Sequence, residues 1–369
     1  MIRILHAIGN MNRGGAETLI MNLYRNIDRS RIQFDFLVHR PTPGAFEEEI
    51  LELGGRIFRV PYGIGSGHFA YVRALDRFFR EHPEYKIVHS HMNEASGIIL
   101  RSAKKAKVPV RIAHSHTSYP MYPLVKKLYF QGYARKLLPR NANHYFACSS
   151  RAGEYLFGDG IARSGRMTLL RNGVAASEFS FDPNARAKTR AELGLHSDAF
   201  VIGHIGSFRK VKNHTFLLDV FAEISQRQKN AVLALAGDGE LRQEMERKAD
   251  LLGVRPNVRF LGVRDDVQRI MQAIDVFVLP SLYEGLPVTL VEAQSAGLRC
   301  VISDTITKEA DFGAGLIEYA ALNDIAEWTC KILQPAVERR DTAQLVRNSG
   351  YEIKDICESV QKFYINAWR

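Results

Sequence analysis

The sequence predicts an α/β protein of two successive domains, each a parallel sheet wrapped by helices. Three observations carry this. Short apolar runs alternate with longer amphipathic stretches along the whole chain. Two such series follow one another, each opening with a buried type of strand and a glycine-containing loop. The length of 369 residues suits two domains of about 150 residues each.

In the first series the strands are Ile2–Ile8, Gln33–Val38, Arg56–Val60, Lys86–Ser90, Val110–Ser115 and His144–Cys148, with helices such as Ala16–Ile27, Phe69–Phe79 and Tyr122–Leu138 between them. Met167–Leu170 closes the series, and Arg171-Asn172-Gly173-Val174 is a turn. Asp182-Pro183-Asn184 marks Phe181–Arg190 as a connection between domains. The expected domains are therefore residues 1–180 and 181–350. The second series runs through Phe200–Ile205, Ala231–Ala236, Asn257–Leu261, Val276–Leu279 and Arg299–Ile302. Ile353, Ile356, Val360 and Phe363 recur at near-helical spacing, so 351–369 is expected to form a helix that packs back on the first domain.

Composition narrows the class. Hydrophobic residues make up 46% and charged residues 24%, ordinary for a globular protein. No apolar run approaches the roughly 20 residues that span a bilayer. No cleavage-site pattern follows the short apolar start, so a cytoplasmic location is expected. Cys148, Cys300, Cys330 and Cys357 lie far apart without C-x-x-C spacing, which fits reduced thiols and argues against a zinc site. The net charge of +10 is uneven: residues 1–170 hold 25 Lys/Arg against 13 Asp/Glu, and the rest hold 25 against 27. The first half is thus expected to meet something anionic. Nucleic acid is not expected, because no recognition motif accompanies the charge.

Two segments carry chemistry. Gly14-Gly15, between a strand and a helix, fits either a structural turn or an anion site at a helix start. It matches neither the G-x-G-x-x-G nor the P-loop spacing, which weighs against a dinucleotide oxidoreductase. Pro280-Ser281-Leu282-Tyr283-Glu284-Gly285-Leu286-Pro287 follows a strand, and Glu292 stands eight positions after Glu284. That spacing puts Glu284 in the loop and Glu292 one turn inside a helix, at the carboxyl end of the sheet where α/β folds bind ligands. Such carboxylates suit sugar or ribose hydroxyls. A helix-start charge and a solvated helix face are the competing readings.

The ordered set Gly14-Gly15-Ala16-Glu17, Asn172-Gly173-Val174, Gly206…Lys212-Asn213-His214, Gly237-Asp238-Gly239 and Glu284-Gly285-Leu286-Pro287…Glu292-Ala293…Gly297 resembles family 4 glycosyltransferases, which have the GT-B fold. The nearest resemblance is to bacterial enzymes of exopolysaccharide or capsule assembly. It implies two Rossmann-like domains with parallel sheets facing a central crevice. It implies a retaining, metal-independent transfer from a nucleotide sugar, UDP-linked by family frequency, to a glycan or polyprenyl-linked acceptor. Glu284 then holds donor-sugar hydroxyls, and the backbone of Gly285, Leu286 and Pro287 supports the sugar and diphosphate. Glu292 binds the ribose, Lys212 neutralises the diphosphate, the amides of Gly14 and Gly15 approach it, and Val263 and Arg264 border the base. The family places an arginine where this chain has Ser207; Arg209 substitutes from a shifted position, or Lys212 acts alone. The family histidine at the end of strand Val110–Ser115 matches His116, with His114 the alternate. His89 and His91 are candidates for an acceptor pocket or for structure. No D-x-D metal motif is present, and no metal or other cofactor is expected.

Arg101–Lys107 and Tyr122–Arg140 mix cations with Leu124, Val125, Leu128, Tyr129, Phe130, Tyr133, Leu137 and Leu138. The region 101–140 fits an interfacial helix on anionic lipid or an amphipathic core helix with a basic outer face. Competing functions are a nucleotide-sugar 2-epimerase of the same fold and a non-catalytic sugar-nucleotide-binding subunit.

Overall fold

A computed structural model describes residues 1–60, 67–117, 128–335 and 337–369. The chain forms two compact units, Met1–Gly173 with Ile353–Arg369, and Val174–Glu352.

The first unit is built on seven described strands: β1 (Ile2–Ile8), β2 (Ile32–Val38), β3 (Ile57–Arg59), β4 (Ile87–Ser90), β5 (Val110–Ser115), β6 (His144–Ala147) and β7 (Met167–Leu169). Their order is β3-β2-β1-β4-β5-β6-β7, with every pairing parallel. Helices cover both faces of such a sheet, which is why its strands read as nearly unbroken apolar runs. All seven residues of β2 are buried. The one acid among them, Asp35, is held by Arg3 Nε at 2.6 Å and by the Tyr85 hydroxyl at 2.8 Å, as a buried charge requires. The helix Ile353–Trp368 belongs to this unit and packs on the helix Gly15–Asn26 and on β4. It buries Ile353, Ile356, Cys357, Val360 and Tyr364. Tyr364, rather than the neighbouring Phe363, takes the inward position.

The second unit has six described strands: β8 (Phe200–Ile205), β9 (Ala231–Ala236), β10 (Val258–Gly262), β11 (Val276–Leu279), β12 (Arg299–Ser303) and β13 (Ile317–Ala320). Their order is β10-β9-β8-β11-β12-β13, again parallel throughout. The edge strand β13, Ile-Glu-Tyr-Ala, is absent from the sequence reading. It is four residues long and only its last residue is buried, so it lacks a core-strand pattern.

Two sequence expectations need correction. The first unit ends at Gly173 rather than residue 180. The helix Ala176–Phe179 packs on helices Val267–Ala273, Val288–Ser295 and Ala343–Asn348 of the second unit, and the Val174 amide donates to the Tyr351 carbonyl at 2.9 Å. Phe181–Arg190 is not a bare connection, because Pro183–Glu192 is a helix. Asp182 caps it by accepting from the Asn184 amide at 2.8 Å, and Pro183 occupies the first turn, where its missing N–H costs nothing. Arg186 and Arg190 then both clasp Asp275. Of the expected helix Tyr122–Leu138, residues through Lys127 lie outside the described ones. The remainder is a π-helix, Leu128–Ala134, that runs into the α-helix Arg135–Asn141. Phe130 and Leu138 point inward there, while Tyr133 is exposed.

Candidate active site

In the second unit β8 is the first strand, and its two neighbours are β9 and β11. Chain order therefore reverses between β8 and β11, and the carboxyl ends of those strands are where an open parallel sheet takes its ligand. Lys212 lies in the loop after β8 and Glu284 in the loop after β11. The Lys212 ammonium donates to Glu284 Oε1 at 2.6 Å. Their side chains are only 17% and 14% exposed, so the pair is largely withdrawn from water. The two loops are tied together by the Leu282 amide, which donates to the Val211 carbonyl at 2.8 Å.

Local backbone explains why Lys212 stands there. Lys210–Lys212 is a single 3-10 turn, and Asn213 follows in the left-handed region at φ 56. Asparagine tolerates that conformation better than most residues. It redirects the chain straight into the helix His214–Arg227. The lysine stem passes over Gly206, where a side chain would meet Lys212 Cε at 3.3 Å. Phe208 is buried and stacks on His214 with ring centroids 4.1 Å apart. Arg209 is exposed at the start of the 3-10 turn, and among the described residues it has no side-chain partner.

Helix Val288–Ser295 begins just after Pro287, and Leu286 and Pro287 are buried while Gly285 is half-buried. Glu292 sits in this helix one turn in. Among the described residues its carboxylate has no ion-pair or hydrogen-bond partner. Burial penalises its charge and pushes its pKa up to about 7. Val263 and Arg264 follow β10 on the far side of β9; Val263 is exposed and Arg264 pairs with Asp266 at 2.7 Å. Sequence reasoning missed His204, inside β8. Its Nδ1 donates to the Val278 carbonyl at 2.9 Å, and burial lowers its pKa to about 4. A lone histidine in an apolar strand gives no local signal.

In the first unit the order reverses between β1 and β4. The helix Gly15–Asn26 starts in the loop after β1, with Gly14 as its N-cap. The Gly14 amide already donates to the Asn12 carbonyl at 3.0 Å. Among the described residues, nothing beyond the flanking residues and the helix's own backbone lies within 4 Å of where a Gly15 side chain would stand, so packing does not demand glycine there. At the ends of β4 and β5 the four candidate histidines come together and are joined by His6 from β1, which the sequence reading did not include. His89 and His114 are fully buried and His91 nearly so; His116, just past β5, is half-buried. His114 therefore belongs to the core rather than to a rim. Burial lowers the pKa of His116 to about 3 and that of His6 to about 3. Burial first, and neighbouring imidazoles second, hold His89, His91 and His114 well below the usual range. All five rings are neutral near pH 7.

Residues 13–178 match the family Glycosyltransferase Family 4, and residues 185–311 match Glycosyl transferases group 1. The putative glycosyltransferase EpsF of Bacillus subtilis (strain 168) is 40% identical over 360 residues, covering 95% of this chain and 93% of the relative. The UDP-Gal:alpha-D-GlcNAc-diphosphoundecaprenol alpha-1,3-galactosyltransferase of Escherichia coli is 29% identical, covering 66% and 64%. Among solved structures, Anabaena Alr3699/HepE in complex with UDP and glucose superposes with a TM-score of 0.77 at 19% identity, covering 98% of this chain and 99% of that one.

Proposed function

The chain belongs to the family 4 glycosyltransferases of GT-B fold, and from that premise we propose that it moves a sugar from a UDP-linked donor to a glycan or polyprenyl-linked acceptor, with retention, during assembly of a cell-envelope polysaccharide. The observation that carries this is the Lys212–Glu284 contact at the reversal point of the second sheet. One cation and one carboxylate, mutually satisfied, are what a sugar diphosphate needs. The diphosphate takes over the ammonium, and sugar hydroxyls donate to the carboxylate.

In the step itself the bond from the anomeric carbon to the diphosphate oxygen breaks. A bond to the acceptor oxygen forms on the same face, and the acceptor proton passes to the departing phosphate. Charge collects on the diphosphate as it leaves, and Lys212, with the unpaired Arg209 beside it, stabilises that charge. In the first unit the Gly15 amide is the proposed anion donor, the Gly14 amide being engaged with the Asn12 carbonyl. Gly285, Leu286 and Pro287 support the sugar, Val263 and Arg264 border the base, and Glu292 takes the ribose. His116, held neutral by burial, hydrogen-bonds the sugar rather than abstracting a proton. Metal is not needed for the diphosphate in this scheme.

A thermal-shift panel tests the reading: UDP-sugars are expected to raise the melting temperature by mass action, and adding an acceptor extract is expected to release UDP. No shift with any nucleotide sugar, or conversion of the donor to an isomer without acceptor, overturns it. The basic region 101–140 is proposed to rest on anionic lipid at the inner membrane face. Flotation with phosphatidylglycerol vesicles is expected and loss at high salt follows; equal flotation with neutral vesicles refutes the contact.

Glu292 supplies a pH dependence. Its carboxyl titrates near 7 in the folded protein against 4.5 as an ordinary glutamate. The folded state therefore holds the proton more tightly, and stability falls as pH rises from about 4.5 to about 7. Glu292→Gln removes that loss, so the variant is expected to gain about 1–2 kcal/mol over the parent at pH 8 and nothing at pH 4.5. Ribose hydroxyls favour the ionised carboxylate, so UDP affinity is expected to rise between pH 5.5 and 8 in the parent and stay flat in the variant. Titration calorimetry at the two pH values decides; a flat parent profile removes Glu292 from the ribose site.

A further inference from the structure

The five clustered imidazoles of the first unit, His6, His89, His91, His114 and His116, do more than one histidine contact with a sugar requires. Parallel register sets His6 of β1 directly beside His89 of β4. The rings then touch in two series. His6 Nδ1 lies 3.0 Å from His91 Nε2, and His91 Nδ1 lies 2.8 Å from His116 Nε2. His89 Nε2 lies 3.1 Å from His114 Nδ1, and His89 Nδ1 lies 2.7 Å from the Tyr364 hydroxyl. Among the described residues, three nitrogens of the cluster, His6 Nε2, His114 Nε2 and His116 Nδ1, are buried with no partner. Both clusters at metal-ligating spacing among the described residues consist of histidine alone.

Acid–base work is a poor use of such a cluster, since any proton accepted becomes a charge buried without a counterion. What neutral imidazoles offer is lone pairs. We propose that His91, His114 and His116 form a binding site for a zinc-type transition-metal dication. Each offers one ring nitrogen, and the three atoms lie within 4.8 Å of one another. Tetrahedral ligands on bonds of about 2.05 Å stand roughly 3.3 Å apart, so the side chains need only small adjustments. The surrounding contacts prepare the donors. With His91 Nε2–H donating to His6 Nδ1, the His91 Nδ1 lone pair faces His116 Nε2. With His114 Nδ1–H donating to His89 Nε2, and His89 Nδ1–H to the Tyr364 oxygen, the orphaned His114 Nε2 is left to ligate. Such outer contacts fix tautomer and ring orientation at histidine metal sites. His116 is the half-exposed member, which gives the ion an entry and leaves a fourth position for water. The other cluster, His6, His89 and His91, is buried throughout and offers no entry. An all-imidazole set selects zinc, cobalt, nickel or copper over magnesium and calcium, which demand oxygen.

The binding itself is independent of the proposed transfer. Its consequence rests on that reading: an ion on His116 withdraws the sugar contact, so zinc inhibits.

The test uses untagged, chelator-stripped full-length protein titrated with cobalt chloride. Intense visible bands of tetrahedral Co²⁺ are expected to saturate at one equivalent, to vanish with one equivalent of zinc, and to be matched by a zinc-induced rise in melting temperature. His91→Gln and His114→Gln are each expected to weaken binding on the order of 100-fold, while His196→Gln, an exposed histidine of the other unit, retains it. If the buried variants do not fold, His116→Gln and the parent stoichiometry decide. A parent protein without the bands, or bands that survive in folded His91→Gln or His116→Gln, overturns the site whatever the transfer assays give.

Discussion

Lys212→Met is expected to lower kcat/KM for UDP release by about 10²–10³-fold, the usual effect of removing one group that stabilises developing charge. The physical reason is the exchange of partners described above. In the free protein the ammonium is satisfied by Glu284 at 2.6 Å. On the proposed reading, donor binding gives both groups new partners, so little free energy is lost in parting them. The variant keeps the methylene stem over Gly206 and loses only the charge. Glu284 is then left largely buried without its cation, a loss of about 1–3 kcal/mol. The double variant Lys212→Met/Glu284→Gln separates the two roles. If the pair serves structure alone, the double variant regains stability and all three proteins turn over alike. If the pair serves the donor, the double variant melts near the parent and stays inactive. Steady-state UDP release and thermal unfolding on the same preparations distinguish these results, and parent-like turnover in Lys212→Met discards the assignment.

The second large effect is on stability. Gly237 has φ +139, and a side chain there would stand 2.1 Å from the Gly206 carbonyl oxygen. Backbone cannot yield as a flexible side chain does. The ends of β8 and β9 close on each other at this point: the Gly206 amide donates to the Ala236 carbonyl, and the Gly237 amide donates to that of Gly262. Gly237→Ala is expected to cost about 2–4 kcal/mol, or roughly 5–15 °C of melting temperature for a domain of this size. It also displaces the loop that seats Lys212, so UDP affinity falls with it. Gly253 is the comparison: it too has positive φ, +70, but open space around it. Gly253→Ala is expected to lose only about 1 kcal/mol. Equal losses in the two variants would show that the close approach is not what holds the loop.

Legibility in the sequence followed the range of the interactions. Strand and helix periodicity is local, and most elements stand where it put them. The loop position of Glu284 and the helical position of Glu292 come from a spacing of eight residues, and they too were readable. The direct contact of Glu284 with Lys212 was not, because it depends on β11 lying beside β8 across 72 residues. His6 and His204 escaped notice for the same reason. Each is one polar residue in an apolar strand, and its meaning appears only when a neighbouring strand supplies the partner. Pro183 misled in a different way. It interrupts helices in mid-course yet is at home in their first turn, and the cap at Asp182 decided between the two. In the C-terminal helix a rotation of one residue exchanged Phe363 for Tyr364, which is how that helix comes to touch His89.

That last contact bears on how the chain is made. The Val174–Glu352 unit is one uninterrupted stretch, whereas its companion waits for Ile353–Arg369. During synthesis the segment born first stays unfinished, with Leu23, His89 and neighbouring apolar surface lacking their cover, while the later-born unit has all its strands and can close. A chain ending at residue 352 therefore holds all of the Val174–Glu352 unit but lacks the helix that covers Leu23 and His89 in its companion.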